Sequence, residues 1–487
     1  MEHYDTNYGI LDYDTFNKRL RKLNYNSDNN VSVYREAPIG RTRCGFDIEH
    51  FRIGNGPVRL VYAAGMSGSE IIGVDYVLTL MENIAKGNGV FRDFDPSMYT
   101  IDFLPCLNPE GYFTTTYALQ SALKNKSLEK FASMYNIAYL KDDENVMIIN
   151  KCIQEVFKGA GINVEKSNRI IDLFWRMYRG KEIKYFDLYN FLSINIDSDR
   201  IEEDLDNVLN KWKTDRNFVI PEKKWHYRLF KGLNINCIPM SDNRFNKLRG
   251  NLYRLYGERS CIESLACFNA NSVGVDLNSN SLEEYNSMLS RRSIQGDIYG
   301  YGRDNDLLIS EPSPLGAPSN NMEEKFELEP ENVALVNFIS TLGNDNNLFM
   351  FIGGTGNSLY VYPYSLDALA GLDEKTKEMI YYTNNKLAST YANELGSARE
   401  ELTGKNKPCM ISAYNGEIYG VKDLIRNNFH TTMLLQLGLP GGNPLAPYKD
   451  KKEYEDTMIA NMIANKKLIG AILRVDRLND VSKGFTM

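Results

Sequence analysis

The chain is expected to be a three-layer α/β/α protein, with helices on both faces of a mixed central sheet and a helical insertion interrupting it. Three observations predict this. The apolar run VRLVYAAG (Val58 to Gly65) ends at a glycine and is followed by SEIIGVDYVLTLMENIAKG (Ser69 to Gly87), whose apolar residues recur every three or four positions. A buried strand, a tight turn and an amphipathic helix in that order form an α/β unit. Strand and helix patterns alternate again after Ser272, whereas strand-like runs nearly vanish between Ala118 and Glu258.

Taken in order, DYDTFNKRLRKL (Asp12 to Leu23) has helical spacing, and FDIEHFRIG (Phe46 to Gly54) alternates like one strand. YTIDFLPCLNPEGY (Tyr99 to Tyr112) gives a second buried strand whose Pro and Gly mark a polar turn at its exit. Helices are expected over Glu144 to Gly161, Asn168 to Gly180 and Ile201 to Lys213. SVGVDLNSN (Ser272 to Asn280) reopens the α/β pattern, and a loop rich in Gly, Pro and Ser (Leu315 to Asn321) precedes the helix PENVALVNFISTLG (Pro330 to Gly343). LFMFIGG (Leu348 to Gly354), SLYVYPY (Ser358 to Tyr364) and TTMLLQLGLP (Thr431 to Pro440) read as strands. Glu374 to Leu395 and Glu453 to Leu473 read as helices. The simplest division is a core in two parts, 1–117 and 259–487, around an insertion at 118–258.

With 487 residues, 43% hydrophobic and 24% charged, the composition is that of a packed globular protein. A net charge of −7, with no dense run of Lys and Arg, argues against a nucleic-acid partner. The first residues, MEHYDTNYGI, carry no basic stretch followed by an apolar one, and no run is long enough to span a bilayer. The expectation is therefore a cytoplasmic protein without a membrane partner. Seven scattered cysteines, with no C-x-x-C pair, read as reduced structural thiols. The four histidines, His3, His50, His226 and His430, never stand at metal-ligand spacing from one another.

Several loops at strand ends share an order with one family. GMSGSE (Gly65 to Glu70) fills the strand-to-helix corner, NPEG (Asn108 to Gly111) ends the next strand, and GVDLNSN (Gly274 to Asn280) and FELEPENVAL (Phe326 to Leu335) follow the insertion. Upstream stands GRTRCGFDI (Gly40 to Ile48), and downstream IGGTGNSLYVYPY (Ile352 to Tyr364) and LLQLGLP (Leu434 to Pro440). In order and spacing these resemble the zinc carboxypeptidases of the carboxypeptidase A superfamily.

That resemblance implies a zinc site at the sheet edge, and it also shows what has changed there. Ser67 stands where the family's first ligand histidine belongs, and Glu70 keeps the ligand glutamate. Gly354 falls at the second histidine, and Gln436 at the general-base glutamate. In the loop that holds a substrate carboxylate Asn278 is kept and Ser279 replaces the arginine, while Ile418 falls near the specificity pocket. A hydrolytic zinc needs two imidazoles and a carboxylate, with one position left for water. A glutamine side chain has no basic group to accept a proton from that water. The expectation is a pseudoenzyme with no catalytic residues, metal or cofactor, which binds a peptide tail or scaffolds a protein partner. The alternative is an active metallocarboxypeptidase-type hydrolase with an atypical site and zinc as cofactor.

Two other classes fit less well. Ser67 lies at a corner like that of a nucleophile elbow, but Ser69 occupies the position where Gly-x-Ser-x-Gly needs its last glycine, and the nearest candidate base is His430. GGTGNS (Gly353 to Ser358) could pass for a phosphate loop, yet it leads into a strand rather than a helix N-terminus. Trp175, Arg176, Tyr178 and Arg179 read as a core stripe with a basic edge, or else as a docking surface on the insertion.

Overall fold

The computed structural model describes residues 3–25, 29–123, 126–162, 183–196, 198–211, 235–256, 270–275, 328–343, 346–354, 358–361, 373–407, 409–413, 428–437 and 444–484, with a few shorter pieces between them. Among the described residues twelve strands run β1 (Val33–Arg35), β2 (Gly40–Arg41), β3 (Asp47–Ile48), β4 (Phe51–Ile53), β5 (Val58–Ala64), β6 (Tyr99–Leu104), β7 (Ile183–Lys184), β8 (Val219–Ile220), β9 (Asn346–Gly353), β10 (Ser358–Val361), β11 (Met410–Ala413) and β12 (Phe429–Gln436). The helices used below are α1 (Tyr13–Tyr25), α2 (Ile71–Lys86), α3 (Pro109–Leu123), α4 (Leu128–Gly159), α5 (Tyr185–Asn195), α6 (Ile201–Lys211), α7 (Asn243–Tyr256), α8 (Pro330–Thr341), α9 (Glu374–Thr403) and α10 (Lys451–Gly484).

Eight strands form one sheet in the order β1-β4-β6-β5-β9-β12-β10-β11. The four central strands, β6, β5, β9 and β12, are mutually parallel, and β4 and β10 join them antiparallel. The sheet is thus mixed. Parallel strands are buried on both faces, which is why Val58–Ala64 and Asn346–Gly353 read as nearly unbroken apolar runs. Alternate residues still choose different partners. Leu60, Tyr62, Leu348, Met350, Ile352, Met433 and Leu435 join the cluster that contains α1, α2, α9 and α10 residues. Val61, Ala63, Phe349, Phe351 and Leu434 join another, with Ala334, Leu335, Phe338 and Ile339 of α8. Helices therefore cover both faces, giving the expected α/β/α layering.

The long α10 carries two buried asparagines toward the sheet. Asn465 Oδ1 accepts from Tyr62 Oη of β5 at 3.0 Å, and Asn461 Oδ1 accepts from Tyr391 Oη of α9 at 2.7 Å. These bonds supply partners for hydroxyls that would otherwise be buried unpaired.

Between Ile149 and Leu209 a separate apolar cluster joins α4, α5 and α6 with Phe174. Strands β7 and β8 pair only with each other, outside the main sheet. In contrast Ala118, Leu119, Phe131, Phe245, Leu248 and Leu252 belong to the main core. Trp175, Arg176, Tyr178 and Arg179 lie outside the described residues, as do most of Asn168 to Gly180 and the loop Leu315 to Asn321.

Two local expectations need correction, and two strands went unread. FDIEHFRIG is two short strands rather than one, broken at Glu49 and His50. Glu49 pairs with Arg35, and His50 Nε2 lies 2.8 Å from buried Asp102, so both are held by charged partners rather than by the sheet's alternation. NPEG is a helix start, with Asn108 Oδ1 accepting from Gly111 N at 2.9 Å and Pro109 as the first helical residue. Edge strands β1 and β11, three and four residues long, have no counterpart in the sequence pattern.

Candidate functional site

The ends of the parallel strands meet along one edge of the sheet. Ala64 of β5 and Leu435 of β12 both lie opposite Ile352 of β9, and Gln436 lies opposite Gly353. With neighbouring strands about 4.8 Å apart, the last residues of these three strands span about 10 Å. Ser67, Glu70, Gly354 and Gln436 all stand at or just beyond these ends.

The corner after β5 is set by Gly65, whose φ of +67° is left-handed and suits glycine. The following turn brings Glu70 back over the strand ends: Ser67 N donates to Glu70 Oε2 at 3.3 Å. Glu70 is also the residue before the first turn of α2, but its side chain does not cap the helix. Helix α2 then packs tightly on β9. A Cβ on Gly73 would sit 2.5 Å from Ile352 O, one on Gly353 3.0 Å from Glu70 Oε1, and one on Gly354 2.9 Å from Glu70 Cα. The two glycines at the end of β9 thus form the seat on which Glu70 rests.

Zinc implied by the resemblance does not fit this donor set. Ser67 offers a neutral hydroxyl, a poor zinc ligand, and Gly354 offers no side chain. Among the described residues no three His, Cys, Asp or Glu side chains gather as a metal site requires. Asn278, Ser279 and Ile418 lie outside the described residues.

The serine-nucleophile alternative fails on geometry. His430 is the second residue of β12, while Gln436 closes the strand at the edge where Ser67 lies. Six residues of strand separate them by about 20 Å. His50 is buried against Asp102, and His226 lies outside the described residues.

The side chains of these loops bond to one another in a way that sequence spacing did not reveal. Asn108 Nδ2 donates to Met66 O at 3.1 Å, tying the second strand's exit to the first. Glu110 is fully buried, and its two oxygens accept from Cys44 N at 2.6 Å and Ser272 N at 2.9 Å. Arg43 grips Glu329 through two bonds, at 2.6 and 2.8 Å, and Asn271 Nδ2 reaches the same carboxylate at 2.8 Å. Asn332 Nδ2 donates to Leu277 O and Asn280 Oδ1, and Asn280 Oδ1 also accepts from Glu329 N. Five segments far apart in sequence are therefore bonded into one scaffold. Beside them Glu331 is buried, and among the described residues neither of its oxygens has a hydrogen-bond partner in another residue. Burial, with Glu110 and Glu329 nearby, pushes its carboxyl well above the usual glutamate range.

No protein-family model and no curated protein matches the chain. Among solved structures it is similar to thrombin-activatable fibrinolysis inhibitor, with 11% identity and a TM-score of 0.42 over 95% of this chain and 73% of that one. It is similar to carboxypeptidase A from Helicoverpa armigera, again at 11% and 0.42, over 96% and 74% of the two chains. A third similar structure is a metallo-carboxypeptidase from Burkholderia cenocepacia, at 10% and 0.37, over 94% and 69%. What this chain does is decided by its own side chains.

No helix among the described residues is long and apolar enough to cross a membrane. Cys44, Cys106, Cys152 and Cys409 are buried free thiols, and burial pushes each above the usual thiol range. Burial outweighs the neighbours that favour the thiolate, such as Ser272 beside Cys44 and Arg399 beside Cys409.

Proposed function

We propose that the chain is a zinc-carboxypeptidase-like protein without peptidase activity, which uses its sheet edge to bind an extended peptide tail. One observation carries this reading. Asn108, Glu329 and Asn280, which stand in the motifs that resemble the family's, bond loop to loop together with their neighbours Glu110 and Asn332, whereas the positions that would hold and use zinc carry Ser67, Gly354 and Gln436. A framework kept intact around a site without its histidine ligands and base supports recognition rather than hydrolysis. On the same reading residues 1–117 and 259–487 form the core and 118–258 the insertion beside the edge.

With Ser279 in place of the arginine, the site has lost its anchor for a terminal carboxylate. Binding should then be indifferent to whether a peptide ends in a free carboxylate or an amide, with Asn278 and Ile418 contacting main chain and apolar side chain. The test uses the purified full chain, a panel of fluorescent peptides as free acids and as amides, and metal analysis. Peptide binding of equal affinity for acid and amide, with less than stoichiometric zinc and no release of C-terminal residues, is the expected result. Chelator-sensitive trimming of the free acids would establish the active-hydrolase alternative instead.

A further inference from the structure

We propose that Asp75 acts as a pH-operated latch, deciding through the single hydroxyl proton of Tyr454 whether Asn7 is hydrogen-bonded to the C-terminal helix. Asp75 lies on α2 and is 1% exposed. Around it, α1 contributes Arg19, whose Nη1 is 3.5 Å from Asp75 Oδ1. Helix α2 adds Glu82, which takes Arg19 Nε and Nη2 at 2.9 Å each, and Thr79, which accepts from Nη2 at 3.2 Å. Tyr448 Oη donates to Asp75 Oδ2 at 2.6 Å, Tyr454 Oη lies 3.4 Å from the same oxygen, and Tyr112 of α3 completes the surroundings.

Tyr454 Oη has a second acceptor, Asn7 O, at 3.1 Å, and one hydroxyl proton cannot serve both. Asn7 Nδ2 also reaches Glu82 Oε2 at 3.0 Å, and Tyr8 Oη donates to Tyr448 O, so this segment closes over the cluster. Arg19 and Glu82 neutralise each other. A protonated Asp75 therefore leaves the cluster neutral and lets Tyr454 donate to Asn7, while an ionised Asp75 leaves it with one buried negative charge that draws the Tyr454 proton inward. Burial pushes the Asp75 carboxyl up to about 7, against the opposing pull of Arg19 and the two tyrosine hydroxyls. The exchange of acceptors thus falls near neutral pH, weakening the hold on Asn7 as pH rises while Asp5 stays anchored through Asn83 and Lys86.

The test follows the Asn7–Tyr8 peptide group by NMR in full-length protein carrying carbonyl-labelled asparagine and nitrogen-labelled tyrosine. The only other Asn-Tyr peptide, Asn24–Tyr25, serves as internal reference. Between about pH 5.5 and 8.5, a span that brackets the neutral region where this carboxyl would titrate, the wild-type signal should move with a midpoint near neutrality. Asp75→Asn should fix it at the low-pH position, and Tyr454→Phe at the high-pH position. A wild-type signal that does not move, or a movement that persists in either variant, would overturn the proposal. Should Asp75→Asn fail to fold, Tyr454→Phe decides alone.

Discussion

Gly354 stands so close to Glu70 that a Cβ added to the glycine would lie 2.9 Å from the Glu70 Cα, backbone against backbone. The end of β9 and the start of α2 are therefore joined with no room for a side chain. Gly354→Ala should cost about 1 to 3 kcal/mol, the range for overpacking a filled interior. Gly250→Ala is the control, because this exposed glycine of α7 has nothing within 4 Å of its added Cβ and the change should stabilise by about 0.5 to 1 kcal/mol. Urea unfolding of both variants measures the difference. Equal stability for Gly354→Ala and wild type would mean that the joint has slack.

Glu110→Ala removes the acceptor for two buried amides, those of Cys44 and Ser272. Each stranded donor costs about 1 to 3 kcal/mol, so the variant should lose several kcal/mol or fail to fold at ordinary temperature. Thermal unfolding checks this. A loss no greater than that of an exposed substitution, such as Glu202→Ala on α6, would show that Glu110 does not brace the scaffold.

The layers of the fold were legible because buried parallel strands and amphipathic helices leave strong periodic signals, as in Val58–Ala64 followed by Ile71–Lys86. Strands β1 and β11 were not, since three or four residues carry no period, and NPEG hid a helix start behind turn-forming residues. At the candidate site sequence order brought out Ser67, Glu70, Gly354 and Gln436, which stand at the ends of three adjacent strands. The tight seat under Glu70 was invisible, because a glycine pair says nothing about which backbone approaches it. The roles of Glu110 and Asn332 as cross-braces were hidden for the same reason: their partners lie 66 to 162 residues away for Glu110 and more than 50 for Asn332.

Glu331 should give stability an identifiable pH dependence. Its carboxyl is raised in the folded state above its unfolded value, which is about 4.3 for a glutamate. The folded state then holds a proton that the unfolded state gives up, so this group's contribution is full below about pH 4 and is lost as pH rises toward the raised value. Glu331→Gln keeps the shape without the proton. It should be more stable than wild type at neutral pH, and the advantage should shrink toward about pH 4, where the unfolded glutamate also becomes neutral. Urea unfolding across that range checks this. An advantage that stays constant with pH would show that Glu331 is not the proton holder.

Introducing the residues that the resemblance would call for should not create a zinc site. The variant combining Ser67→His, Gly354→His and Gln436→Glu supplies two imidazoles, and Glu70 supplies a carboxylate, so on paper the donor set for zinc is complete. The structure predicts otherwise, because the side chain at position 354 must begin 2.9 Å from the Glu70 Cα and 3.4 Å from its Cβ. To make room, α2 would have to lift from β9, yet Gly73 holds it there at a distance that leaves no space even for a Cβ beside Ile352 O. Moving the helix would also carry Glu70 away from the site that it is meant to complete. The triple variant should therefore lose stability and bind zinc no better than wild type. The double variant Ser67→His and Gln436→Glu, which leaves the glycine seat alone, should stay folded and likewise bind no stoichiometric zinc. Metal analysis after dialysis, alongside thermal unfolding, distinguishes the outcomes. A folded triple variant with one tightly held zinc would show that the joint between β9 and α2 yields, and that only the residues at positions 67, 354 and 436 stand between this chain and a metal site.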